Sequence, residues 1–333
     1  MSAEHGSAGP VSTGWLSIGP WRNRLRDQPA IPLLVLLAVL VALLQLVQPG
    51  IVKADWVATT IKFATPLAIL AASQTLVMLT GGIDLSVASV ASMSAYIAAT
   101  QSSSQGDAMA ILLALLAAAA VGLMNGVGVG LFRVQPLIMT IGIGLVVTGF
   151  LTVYQVLAVA SAASVPEVIG GLFGGTSLGA IPNSLFVFAP LAVIILLGLR
   201  RAGYGRLLYA VGDNQVAARL AGVRIWQVLL VAYVLSSLLA GVAGLALSGV
   251  ARSATIALAE PYLLPSVAAV VIGGTSIFGG RGGYTGSIIG ALILTVLVSL
   301  LTVLEAPQPV RQMIYGAIIL GVAAAYTRLT GES

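Results

Sequence analysis

Apolar residues run through this chain in ten long stretches, about 31–50, 57–79, 87–101, 108–131, 136–158, 184–199, 226–249, 263–279, 285–304 and 312–327, parted by short polar or glycine-rich turns. Most approach the roughly 20 residues that a helix needs to cross a bilayer. Within each stretch the apolar residues are continuous, whereas the strands of a membrane barrel alternate between lipid-facing and lumen-facing positions. The pattern therefore predicts helices, which satisfy their own backbone groups in lipid. The third stretch is short, and the eighth and ninth are rich in glycine. The expected fold is all-α and polytopic, with about ten transmembrane helices, some of them broken at glycines.

Composition narrows the class further. Hydrophobic residues make up 59% of the chain and charged residues 8%, against roughly 45–50% and about 25% in soluble domains. So few charges cannot cover a water-soluble surface. There are no cysteines, and the one histidine, His5, lies in a polar tail, so disulfides and thiolate or histidine metal centres are excluded and no cofactor is expected. The pI near 9.7 does not point to nucleic acid, because the basic residues are scattered between apolar runs. They read as topology. With the N-terminus placed in the cytoplasm, Arg22, Arg24, Arg26, Arg133, Arg200, Arg201, Arg206, Arg219, Arg224, Arg281 and Arg328 fall inside, and Lys53, Lys62, Arg252 and Arg311 fall outside. That bias follows the positive-inside rule and puts both termini in the cytoplasm.

The organisation that follows is a cytoplasmic tail over 1–29, one transmembrane domain over 30–328 and a short cytoplasmic tail over 329–333. The first apolar run ends in "QPGIVKAD" without a small-x-small cleavage pattern, so it reads as an uncleaved span. Two longer connections interrupt the domain: an external glycine-rich loop over 161–182 and a cytoplasmic loop over 200–227.

A phosphate-binding P-loop needs glycine, then lysine, then Ser or Thr. The two lysines, Lys53 and Lys62, follow Val52 and Ile61, so this chain cannot hold one. Ion-coupled carriers keep several ionisable residues within their spans, and here the deep acids come down to Asp84. No His/Glu cluster, Ser-His pair or carboxylate pair supports an enzyme.

Asp84 stands in "LTGGIDLSVASVASMSA". Gly81 and Gly82 can end one helix, while Asp84, with Ser86 beside it, can cap the next. An acid at this depth is expected to hold a broken helix together, with Arg281 as a helping cation; contact with substrate hydroxyls or gating is the other reading. "GGTSIFGGRGGYTGS" has similar logic, with Gly279, Gly280, Arg281 and Gly282 in a tight turn at the same face, and the likeness of the two breaks hints at duplication. Polar residues inside spans are candidates for a solute pathway: Ser73, Gln74, Thr75, Asn125, Thr140, Tyr154 and Gln155. Each can equally be an interhelical hydrogen bond. In the cytoplasmic loop, "GDNQVAARLAGV" reads as a short helix, capped by Asp213 or Asn214 and ended by Gly222. Its slim alanine surface suits either a groove on a partner protein or the bilayer surface.

The chain resembles the permease subunit of ATP-binding-cassette (ABC) importers of the ribose/monosaccharide family. The resemblance is carried by "LTGGIDLSVASVASMSA", "LMNGVGVGLFRVQPLIMTIGIGLVVTG", "GRLLYAVGDNQVAARLAGV" and "AAVVIGGTSIFGGRGGYTGSIIGALIL", in that order. It implies a non-catalytic subunit of the bacterial inner membrane, paired with a second permease copy, either identical or a paralogue. Separate ATPase subunits would dock through Arg206, Gly212, Asn214, Ala217, Ala218, Arg219 and Gly222. An extracytoplasmic binding protein would deliver a small polar solute, a monosaccharide or sugar-like polyol by preference, otherwise a nucleoside or sugar-derived signal. Two departures stand out: Ala88 where glycine is common, and Gln215 and Val216 where acidic residues are frequent. The competing class is an ion-coupled secondary carrier.

Overall fold

The computed structural model describes residues 30–157, 164–177 and 181–330; the terminal tails, with His5, Arg22, Arg24 and Arg26, and parts of the external loop lie outside the described residues. The helices are α1 Ala30–Val47, α2 Ala54–Met78, α3 Val87–Gln105, α4 Asp107–Gly130, α5 Pro136–Leu157, α6 Glu167–Gly174, α7 Ser184–Arg200, α8 Gly203–Asp213, α9 Gln215–Leu220, α10 Ile225–Ala251, α11 Leu263–Ile272, α12 Tyr284–Val303 and α13 Gln308–Thr330. Between α6 and α7, β1 (Thr176–Ser177) and β2 (Ile181–Pro182) pair antiparallel, Thr176 opposite Pro182. The protein is thus an α-helical, polytopic membrane protein.

A helix overlies each of the ten apolar stretches. By length and apolarity α1, α2, α4, α5, α10 and α12 can each cross a membrane unaided, and α7 with α8, bent by 63°, adds a seventh if taken as one span. The eighth stretch was expected to run to residue 279, but α11 stops at Ile272. The reason is local: Gly274 takes φ 84, a left-handed conformation that ends the helix.

The centre of the molecule is α2, α3 and α10. Most of α2 and α3 is buried, and α10 packs on both and on α4. Glycines let these backbones meet. On α4, a Cβ at Gly122, Gly126 or Gly130 would come within 2.7–2.9 Å of α10 backbone atoms of Tyr233, Leu230 and Trp226. The four-residue spacing of the three puts them on one helix face, as in other close membrane helix pairs. A Cβ at Gly244 of α10 would overlap the Ala91 carbonyl of α3, and one at Gly290 of α12 would overlap the Ala269 carbonyl of α11. By contrast α1 is peripheral, with Leu44 its one buried residue.

The turns sort to two ends of this bundle. At one end lie the break after α2, the α4–α5 turn, α8, α9 and the glycine turn before α12. At the other lie α6, the β hairpin and the start of α13. At that second end the Lys62 ammonium donates to the Gly174 carbonyl at 3.0 Å, where the last turn of α6 presents unpaired carbonyls to a cation.

Candidate functional site

α2 closes in a Schellman turn. Gly81, at φ 81, donates to the Met78 carbonyl at 3.0 Å, and Gly82 donates to Val77 at 3.2 Å. Five residues later α3 begins, and in the gap Asp84 is completely buried. Its Oδ1 accepts from the Ser86 amide at 2.9 Å and the Ser86 hydroxyl at 2.6 Å, and its Oδ2 accepts from the Ser236 hydroxyl at 3.1 Å. Asn125 Nδ2 donates to Ser86 Oγ at 2.9 Å, and Ser73 Oγ lies 2.8 Å from Ser236 Oγ. A serine has one proton. Since Ser86 and Ser236 both spend theirs on the carboxylate, Asn125 and Ser73 must act as donors, and two chains of hydrogen bonds converge on Asp84.

The expected help from Arg281 is a correction. Arg281 is exposed, and the partners of the carboxylate are hydroxyl and amide groups. Burying a guanidinium beside it would add a second desolvation cost, which neutral donors avoid.

Nor is Asp84 the cap of α3: that position is Ser86, whose side chain makes no capping bond, and Asp84 holds the turn just before the helix by accepting from the Ser86 amide. The rest of the break is satisfied in the same way. Gln74 Nε2 donates to the Asp84 carbonyl at 2.7 Å, and Thr140 Oγ1 accepts from the Leu85 amide at 3.1 Å. Thr75 meets Ser287 of α12 at 2.8 Å. The structure thus brings Ser73, Gln74, Thr75, Asn125 and Thr140 together, all fully buried, around an irregular backbone that lipid could not satisfy. Tyr154 stands elsewhere, joined to Thr100 at 3.0 Å and Gln101 at 2.6 Å, while Gln155 is exposed. Ser236 went unnoticed in the sequence; its only signal was the pair Ser236–Ser237 inside an apolar run.

The second break repeats the first. Gly274 donates to Val271 at 3.0 Å and Thr275 to Val270 at 3.1 Å, another Schellman turn. The two breaks touch: Gly280 donates to the Leu79 carbonyl at 3.0 Å. A Cβ on Gly212, at the end of α8, would overlap that same carbonyl, and one on Gly279 would lie 2.8 Å from the Gly81 nitrogen. Three chain segments therefore meet backbone to backbone.

α9 leaves from this junction. Asn214, not Asp213, is its cap, accepting from Val216 at 2.9 Å and Ala217 at 3.0 Å. Gly222, at φ 84, ends it with a third Schellman turn. Val216 is 69% and Leu220 85% exposed, so the apolar stripe faces outward. Ala217, Arg219 and Gly222 share the exposed surface. Ala218 does not, being buried against the chain itself, and Gly212 is likewise internal; Arg206 is exposed on α8. Ala218 and Gly212 therefore carry the position of α9 and do not offer contact to a partner.

At the opposite end a cleft of about 550 Å³ opens between α2, α12 and the start of α13. Trp56, Tyr262 and Tyr315 stand in it with Thr59, Thr60, Thr295, Ser299 and Thr302, and with Gln308 and Arg311 at the rim. Aromatic faces beside hydroxyls suit a solute with one apolar face and a ring of hydroxyls. The sequence signal was helical spacing: Trp56, Thr60 and Phe63 on α2, Thr295, Ser299 and Thr302 on α12.

A family model for the permease component of branched-chain amino acid transport systems matches residues 56–323. The ribose import permease protein of Escherichia coli (strain K12) is 32% identical over 290 residues, which covers 86% of this chain and 90% of that protein. The fructose import permease protein of Rhizobium meliloti is 32% identical over 286 residues, 82% of this chain and 78% of the relative. The ribose import permease protein of Bacillus subtilis (strain 168) is 30% identical over 290 residues, 85% and 88% respectively. No solved structure matches the chain.

Proposed function

This chain belongs to the family of ABC-importer permease components, and we propose that it forms one half of the translocation pathway of an ATP-driven importer in a bacterial inner membrane. The solute is a monosaccharide or sugar-like polyol, in keeping with the ribose and fructose permeases that it resembles over most of its length. The chain crosses the membrane ten times with both termini inside, and residues 30–328 form the single transmembrane domain. A second permease copy completes the pathway, and an external binding protein delivers the solute to the cleft at the α6 end.

The observation that carries this reading is α9. A six-residue helix with a side-chain cap, a glycine stop and two large apolar residues turned outward is a poor element for a protein to leave in water. It is a good one to seat in a partner's groove. Residues 200–227 are therefore the docking loop for the ATPase. The double variant Val216→Asp/Leu220→Asp should lose the co-purifying ATPase and all ATP-driven uptake, while the permease keeps its elution volume and melting temperature. Retention of the ATPase at normal stoichiometry would reject the docking role. Ala218→Trp is the wrong probe, because it breaks packing inside the chain.

For the cleft, Trp56→Ala should lower the maximal rate of ATP-driven uptake several-fold with the affinity of the binding protein unchanged. An unaltered maximal rate would remove the cleft from the pathway.

A further inference from the structure

A second cleft, of about 540 Å³, lies at the end of the molecule that carries α9. Arg133 enters it from the α4–α5 turn, Arg219 from α9 and Arg224 from the start of α10. No carboxylate lines it; the other polar lining is Thr80, Gln135 and Gln215. Among the described residues none of the three guanidinium groups makes a hydrogen bond or an ion pair. Three exposed guanidinium groups around one cleft give it a positive potential that favours an anion.

Arg133 carries a second sign of purpose. Its φ is 56, in the left-handed region where glycine or asparagine is favoured. The turn places a cation there at a local conformational cost.

The rim identifies the anion. Leu131 is 50% exposed, Phe132 75% and Trp226 41%. These residues sit at the ends of α4 and α10, two of the helices long and apolar enough to span a membrane, so the cleft opens at headgroup level. Tryptophan is enriched at that level. Leu123 and Met124, both 48% exposed on α4, continue an apolar wall where acyl chains can lie. A cationic floor with an apolar wall fits a phosphodiester with hydrocarbon attached. We propose that this cleft binds the headgroup of an anionic phospholipid, whose phosphate is gripped by Arg133, Arg219 and Arg224 in the manner of guanidinium–phosphate forks. Since Arg219 belongs to α9 and Arg133 to the α4–α5 turn, a bound lipid ties the proposed docking helix to the body of the subunit. The binding itself does not depend on the docking reading.

The test uses the complete transporter, purified in mild detergent and exchanged into micelles doped with phosphatidylglycerol or with phosphatidylcholine of the same acyl chains. Native mass spectrometry counts the lipid retained. Phosphatidylglycerol should be retained in clear preference. Arg133→Asn, which keeps a residue tolerant of positive φ, and Arg224→Gln should each weaken retention about fivefold, the factor equivalent to about 1 kcal/mol per basic residue at an anionic surface. Two separate variants guard against one that misfolds, and an unchanged melting temperature qualifies each. Equal retention of the two lipids, or of phosphatidylglycerol by both variants, overturns the proposal. So does displacement of the lipid by millimolar inorganic phosphate, which would make this a site for a free anion. Loss of the ATPase from both variants with lipid retained also overturns it, since the arginines would then belong to the subunit interface.

Discussion

Replacing Asp84 with alanine is expected to remove most of the detergent-stable protein, whereas Asp84→Asn keeps the fold and a substantial part of transport. The alanine variant takes the acceptor from three donors at once: the Ser86 amide, the Ser86 hydroxyl and the Ser236 hydroxyl. A buried donor left without a partner costs about 1–3 kcal/mol. Three of them weigh heavily against the about 5–15 kcal/mol that keeps an ordinary domain folded. Asparagine fits because the two converging chains differ in kind. The Ser86 amide can only donate, so the new side chain must keep its oxygen towards Ser86. The arm through Ser236 and Ser73 consists of two hydroxyls and can reverse, so its nitrogen can donate to Ser236. A proton-coupled carrier predicts something else, since asparagine cannot titrate: both variants would fold and both would lose uptake. Monodisperse yield, melting temperature and ATP-driven uptake of the two variants decide the matter, and equal well-folded yield with equal loss of uptake would reject the architectural role of Asp84.

Gly244→Val and Gly290→Val are expected to be nearly as damaging, each at or beyond the upper end of the about 1–3 kcal/mol for overpacking a core. In both, the new Cβ would overlap a backbone carbonyl, that of Ala91 or of Ala269. A carbonyl held in a helix cannot swing aside as the end of a side chain can, so the helices must part. Gly142→Val on α5 is the matched control, because a Cβ there meets nothing within 4 Å. Thermal unfolding in detergent should separate the pair from the control by many degrees. A Gly244→Val protein that melts with the wild type would show that α3 and α10 do not approach so closely.

Much of this was legible before any coordinates. Continuous apolar runs located the helices, and the pair Asp213–Asn214 and Gly222 marked the two ends of α9 because caps depend on residues a few positions apart; which of the pair is the cap needed the structure. The break after α2 was legible for the same reason. The partners of Asp84 were not. Ser236 lies 152 residues away and Asn125 contacts Ser86 from 39 residues away, and nothing local announces such pairings, so an arginine in a similar glycine-rich motif was the natural substitute. Nor could periodicity tell whether Gln74 or Thr140 faces a pathway or another helix. Both uses require a polar group in an apolar run, and only the fold distinguishes them. α8 was passed over as loop because Gly203, Gly205 and Gly212 resemble turn residues. At Gly205 the glycine is needed instead because a Cβ would overlap the Leu199 carbonyl.

The meeting of Gly212, Leu79 and Gly280 has a mechanical meaning. Side-chain contacts yield, since a rotamer can change and absorb a displacement of an ångström or so. Peptide groups held against each other without Cβ atoms between them have no such slack. α9 starts three residues after Gly212, and Leu79 starts the segment that leads to Asp84. In the docking arrangement proposed above, a thrust on α9 would therefore reach the two broken helices as through a rigid linkage, with little lost on the way. The stroke reaching the interior would then be set by how far that partner moves α9.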